Sequence, residues 1–274
     1  MKKKLIIATL FFFFMLVSLS ILLIKNIPPN IIHNQECNVY EGLLGDVPIR
    51  MMICRNGINL KAYYIKKNEA QEYVLTGTYN QITRNFKLKN IDGTIIFRGS
   101  TYEDTENNNL IVLNGDANFS QTNNTFYLTP IWFFSGYDRN NLYSDLGYDT
   151  KEVEDFTDNV IELIRRNDSQ ALATLMSYPL LVYKNDEQMT INNEQEFEAH
   201  FDDIMTQDYK NMITQDFSRY LWGNYMGIEF GLQKNFWFYQ SAADNKIKIT
   251  AISNDDENYN YDYPTTEDKG ITKG

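Results

Sequence analysis

Little in this sequence points to catalysis. Its 274 residues hold two histidines, His33 and His200, and two cysteines, Cys37 and Cys54. So few nitrogen and sulfur donors argue against a zinc site, and no metal or other cofactor is expected. A catalytic Ser, Cys or Thr needs a positioned base. No Gly-x-Ser-x-Gly is present, and His33 falls in a stretch that reads as linker. A phosphate loop, a His-Glu-x-x-His motif and a Gly-rich dinucleotide fingerprint are also missing. Basic residues are scarce as well, with 25 Lys and Arg against 36 Asp and Glu and a net charge of −11. Without clustered cations to neutralise phosphates, nucleic acid is not an expected partner.

What is present begins with an address. Lys2, Lys3 and Lys4 precede an uncharged run from Leu5 to Ile24, closed by Lys25. Twenty apolar residues at 1.5 Å rise span about 30 Å, the thickness of a hydrocarbon core. Ser18-Leu19-Ser20 resembles a signal-peptide cleavage site, but Ile21-Leu22-Leu23-Ile24 continues the run past it. Residues 1–26 are therefore expected to be a signal-anchor, with a cleaved signal peptide as the alternative. The lysines stay on the cytoplasmic side under the positive-inside rule. Many Asn, Ile and Lys residues fit a bacterial chain. The expected location is the bacterial inner membrane, crossed once by residues 5–24, with the C-terminal region facing the periplasm. Cys37 and Cys54 fit an oxidising compartment and are expected to pair, a bridge worth about 3 kcal/mol at this loop length.

Beyond a linker at 27–34, residues 35–135 alternate in the way of short strands. Ile49 to Ile53, Ile58 to Ile65, Tyr73 to Leu75, Phe86 to Leu88, Ile95 to Phe97, Leu110 to Leu113 and Thr125 to Leu128 are separated by turn pairs such as Asn56-Gly57 and Asp92-Gly93. This spacing predicts an antiparallel meander, closed as a barrel or folded as a sandwich. Gly77, Gly99 and Gly115 each stand two residues after an apolar one, where glycine lets a strand bend. No site is expected in this domain beyond a Tyr-rich sheet surface. Gly42 to Met51, with Asn56-Gly57 and Tyr63-Tyr64-Ile65-Lys66-Lys67, resembles a pattern in exported bacterial β-meander proteins. That resemblance implies an envelope binding module and carries no activity.

A polar stretch at 138–148 precedes a helical texture. Val153, Phe156, Val160, Leu163 and Ile164 share a helix face. Ser169 to Met176 reads as a second helix with Ser169 as N-cap, broken at Pro179. A hairpin is expected at 180–191, one helix from Asn193 to Met205, and strands near 220–222, 227–231, 236–239 and 246–252. Helices followed by a curved sheet give an α+β layout for residues 149–253. Ser177-Tyr178-Pro179-Leu180, Phe197 to Ile204, and Gly227-Ile228-Glu229-Phe230-Gly231 before Phe236-Trp237-Phe238 resemble the nuclear-transport-factor-2-like fold. That likeness implies a cone-shaped domain with a bent antiparallel sheet. The fold hosts enzymes and non-enzymes, so it assigns no chemistry.

Charge divides the chain. Residues 26–137 hold 9 Lys and Arg against 10 Asp and Glu, while residues 138–274 hold 12 against 26. The tail, 254–274, is acidic, aperiodic and expected to be disordered. An acidic surface speeds association with basic partners. The expected function is that of a membrane-anchored envelope binding protein capturing or neutralising a basic protein, in the manner of immunity proteins. Asp202 and Asp203 are candidate contacts, as is Trp132 within Trp132-Phe133-Phe134, a run expected to be buried between the domains. The alternatives are an envelope enzyme or small-ligand sensor, whose cone pocket would use His200, Glu229 and Asp216, and an envelope assembly factor. The chain alone does not fix an oligomeric state.

Overall fold

The computed structural model describes residues 32–254 apart from 70, 105–109, 120, 121, 137, 186, 232–234 and 242–244. The expected anchor at 5–24 and the tail from residue 255 lie outside the described residues. Among the described residues, no helix is long and apolar enough to cross a membrane.

Eight antiparallel strands form a closed barrel: β1 (Glu36–Leu44), β2 (Val47–Asn56), β3 (Asn59–Lys66), β4 (Glu72–Asn80), β5 (Asn85–Lys89), β6 (Ile95–Asp104), β7 (Leu110–Phe119) and β8 (Thr122–Ser135). Pairing of β1 with β8 closes it, which resolves the barrel-or-sandwich alternative. The interior follows from period-2 alternation. Leu60, Ala62 and Tyr64 of β3 point inward with Ile49, Met51 and Ile53 of β2, onto Leu88, Phe97 and Phe126. Strand β5 shows the pattern most plainly, with Phe86 and Leu88 buried between exposed Asn85, Lys87 and Lys89. Strand β2 is apolar on both faces because both are covered. Its outward Met52 and Cys54 join Cys37, Val39, Tyr63 and Ile65 in the core of the second half. The expected disulfide joins Cys37 and Cys54 directly across β1 and β2.

Curling the sheet brings backbones close at the glycines. A Cβ on Gly99 would meet the Asn114 carbonyl oxygen at 2.2 Å and the rings of Phe126 and Phe86 at 2.9 Å. One barrel end is plugged by Ile32, which is fully buried. Arg55 braces it there, donating to the carbonyls of Ile32 and, at 2.7 Å, of Gly57.

The second half has helices α1 (Thr150–Arg165), α2 (Ser169–Ala173), α3 (Glu194–Ala199), α4 (Phe201–Ile204) and α5 (Gln207–Thr214). Its six strands are β9 (Met176–Lys184), β10 (Glu187–Ile191), β11 (Trp222–Asn224), β12 (Gly227–Phe230), β13 (Phe236–Gln240) and β14 (Ile247–Asn254). They lie in the order β10-β9-β14-β13-β12-β11. The expectation of a wholly antiparallel sheet is corrected: β14 returns beside β9 in parallel, so the sheet is mixed. A register shift between Ile249 and Ala251 faces the stretch of β9 that contains Pro179, a residue unable to complete a regular ladder.

The helices also differ in detail from the sequence reading. Asp168, not Ser169, caps α2, its carboxylate accepting from the Ala171 amide at 3.0 Å. That helix ends at Ala173, before the strand holding Pro179. The single helix expected from 193 to 205 turns at His200 into α3 and α4, which brings Phe197, Phe201 and Ile204 all into the core. Helix α5, capped by Thr206, adds a helix beyond those the sequence predicts.

Candidate functional site

The junction between barrel and second half holds the densest polar chemistry. Its centre is Arg50, outward on β2. The guanidinium bonds Glu41 at 2.7 Å and Asp216 at 3.4 Å, and donates to the Arg219 carbonyl at 3.1 Å. It also lies over the Phe217 ring. The side chains of Arg50, Glu41 and Asp216 are 7%, 3% and 2% exposed, so this is a buried charge cluster. Burial pushes the Asp216 carboxyl up to about 6 against the pull of Arg50. Asp216 therefore sits against the barrel, bound to Arg50.

A second cluster sits beside it. Arg139 bonds Glu72 of β4 at 2.6 Å and pairs with Glu154 of α1. Arg219 approaches Glu154 at 3.4 Å and Asp158 at 2.7 Å. The Tyr220 hydroxyl donates to Glu72 at 2.6 Å. Burial pushes the Glu154 carboxyl up to about 7, opposed by Arg139 and Arg219. Burial works against the Arg139 charge, yet the Glu154 and Glu72 carboxylates outweigh it and raise its pKa. Trp132 belongs to the same junction, its indole donating to the Tyr220 carbonyl at 3.0 Å and its ring 5.3 Å from Phe134. Phe133 alternates outward and is 67% exposed. These groups clamp the loop between α5 and β11 onto the barrel. Each charge faces an opposite charge, an arrangement that holds two bodies together.

Glu229 and His200 are placed elsewhere. Glu229 is buried on β12 with Trp222 and Trp237 as its cross-strand neighbours, on the sheet face opposite Ile228 and Phe230. The helix-side face of the sheet is filled by Phe230, Phe236 and Phe238 against Phe197 and Tyr209. His200 stands half-exposed at the turn between α3 and α4, with Nδ1 3.8 Å from Asp203. The structure thus does not converge His200, Glu229 and Asp216 on one cavity.

It does gather acidic residues along the outer side of α3, α4 and α5. Glu194, Glu198, Asp202, Asp203 and Asp208 are all exposed within 15 consecutive positions. They are exposed because Phe197, Phe201, Ile204 and Tyr209 take the inward positions of the same short helices. Nearby cations are few: Lys210 reaches Asp202 at 3.6 Å, and Lys184 donates to the Asp203 carbonyl at 2.6 Å. Glu194, Glu198 and Asp208 have no ion pair among the described residues. Helix α1 is also acidic, but Lys151, Arg166 and Arg219 offset Asp155, Glu162 and Asp158. Sequence reading found Asp202 and Asp203; Glu194, Glu198 and Asp208 were legible as charges but needed the turn at His200 to join them.

Comparison with known protein families, curated proteins and solved structures returns no match.

Proposed function

We propose that this is a membrane-anchored binding protein of the bacterial envelope that captures a basic protein through the acidic face of α3, α4 and α5, and neutralises it by covering it. The observation that carries this reading is the concentration of exposed carboxylates along that face, with Glu194, Glu198 and Asp208 lacking ion pairs among the described residues. Such a face attracts a cationic partner at long range and speeds its association. The apolar run at 5–24 supports an inner-membrane anchor, and the Cys37–Cys54 bridge supports a periplasmic position for the folded part. In the second half, helices precede a sheet whose last strand returns beside the first hairpin. This order supports its assignment to nuclear-transport-factor-2-like folds. An enzyme or sensor built on the cone finds less support, since His200 faces solvent and aromatic rings fill the sheet's helix side.

The test is capture. The full chain, in detergent, is immobilised and offered envelope and secreted proteins at low salt, then washed at about 0.5 M salt, where charge steering is screened. One basic protein held near equal stoichiometry and released by salt is the expected result. Retention of nothing, or of a partner indifferent to salt, contradicts the reading.

A further inference from the structure

Among the described residues, one end of the barrel is filled and the other holds a pocket. Ile32 and Arg55 fill the first. At the second, a pocket of about 450 Å³ is lined by Tyr64, Lys66, Tyr73, Thr94, Ile95, Phe119 and Thr122. Tyr64 is the anomaly among them. It is fully buried, and its hydroxyl has no hydrogen-bond partner among the described residues. Other buried tyrosines here are satisfied: Tyr79 meets Thr101 at 3.1 Å, Tyr127 meets Asp104 at 2.5 Å, and Tyr209 meets the Asn235 carbonyl at 3.2 Å. A buried hydroxyl without a partner in a native protein requires an explanation.

The surroundings specify what would satisfy it. Tyr73 stacks on Tyr64 with ring centroids 4.7 Å apart and planes 15° apart, and Phe97 meets Tyr64 edge-on at 5.4 Å. Tyr73 lines the pocket beside Tyr64, held by a hydrogen bond from its hydroxyl to Glu69 at 3.3 Å. Lys66 follows Tyr64 on the same inward face of β3, with its ammonium 5.3 Å from the Tyr73 ring and 3.2 Å from Glu69. Tyr64 and Lys66 offer donors, Thr94 and Thr122 bring hydroxyls, and Tyr73, Ile95 and Phe119 supply flat apolar walls. Thr94 already donates to Asp92 at 2.7 Å, and Glu69 is the acidic group at the rim. A donor-rich mouth with aromatic walls selects a flat ring bearing an acceptor anion.

We infer that the pocket end of the barrel binds a small aromatic carboxylate, whose ring displaces Tyr73 from its stack on Tyr64 and whose carboxylate accepts from the Tyr64 hydroxyl and the Lys66 ammonium. This site is separate from the acidic face of α3–α5 and stands or falls without it. The ligand takes the ring stacking that Tyr73 supplies, so Tyr73 acts as its movable cover.

The test uses 2-naphthoate as probe, titrated by calorimetry into the full chain in detergent against a micelle blank. One saturable site is expected. Tyr64→Phe keeps the ring and removes the donor, so it weakens binding about tenfold, a hydrogen bond's worth. Its unfolding midpoint does not fall, because no internal hydrogen bond is lost. Thr122→Trp, at an exposed strand start, fills the mouth and abolishes binding. Absence of saturable binding above the blank overturns the inference. So does affinity unchanged in Tyr64→Phe, or retained in a folded Thr122→Trp.

Discussion

Arg50 is the residue on which the junction turns. It neutralises Glu41 and Asp216 in a place where neither reaches water, so Arg50→Ala leaves two buried carboxylates without their cation. Breaking such a pair costs about 3–5 kcal/mol, and denaturant unfolding is expected to show a loss of that size. The buried carboxyls also set a pH dependence. Glu154 is raised from 4.5 to about 7, and Asp216 from 3.8 to about 6, both chiefly by burial. Glu154 faces Arg139, Arg219 and Glu72, while Asp216 faces Arg50, Glu41 and Lys67. Between the unfolded and folded values the native chain binds the extra protons, so stability is greatest below about pH 4 for these groups and declines as pH rises to about 7. The lowered carboxyls Asp92, Asp138 and Glu196 work in the opposite direction only at more acid pH. The unfolding midpoint is expected to fall between pH 5 and pH 7.5, and Glu154→Gln to flatten that slope. A midpoint that rises over this range contradicts the assignment. The sequence showed Cys37 and Cys54 as a pair because compartment and count sufficed. It could not show Arg50, Glu41 or Glu154 as buried, since a charge in an alternating strand or on a helix reads as solvent-facing until its distant partner is known. Tyr64 was legible only by parity with Leu60 and Ala62.

At the level of elements, local chemistry set most boundaries. Strand β5 alternates cleanly, and α1 begins where Asp149 accepts from the Glu152 amide at 3.0 Å. Gly99 was read as a bending point, and the closed barrel explains why: the Asn114 carbonyl and two phenylalanine rings occupy the space a Cβ needs. Gly99→Ala is expected to lower stability by about 3 kcal/mol, the upper end for overpacking, read as a shift in denaturation midpoint with a native-like spectrum. No loss would show that the strands separate more easily than their close approach implies. Other elements were hidden. The turn at His200 carries no Gly or Pro to announce it. Helix α5 has buried Tyr209, Met212 and Ile213 at helical spacing, but eight residues between two polar stretches make a weak periodic signal. Parallel pairing of β14 with β9 joins segments about 70 residues apart, beyond any local pattern.

For the whole molecule, charge is divided between the two halves. The barrel half is nearly neutral and closed on itself; the second half carries almost all the acidic excess and displays part of it on α3–α5. The shared core of outward barrel residues with Tyr143, Leu142 and Ile164 makes the barrel a rigid mount for that display. Capture of a basic partner by the full chain should therefore depend on those few carboxylates and not on net charge. The comparison to make first sets the parent chain beside Glu194→Lys/Glu198→Lys/Asp202→Lys, with Glu152→Lys/Asp155→Lys/Glu162→Lys on α1 as the charge-matched control. Binding of the captured protein is measured across a salt series. Loss of capture in the first variant alone, with a flattened salt dependence, is the expected result. Equal loss in both variants, or none in either, would contradict recognition by the α3–α5 face.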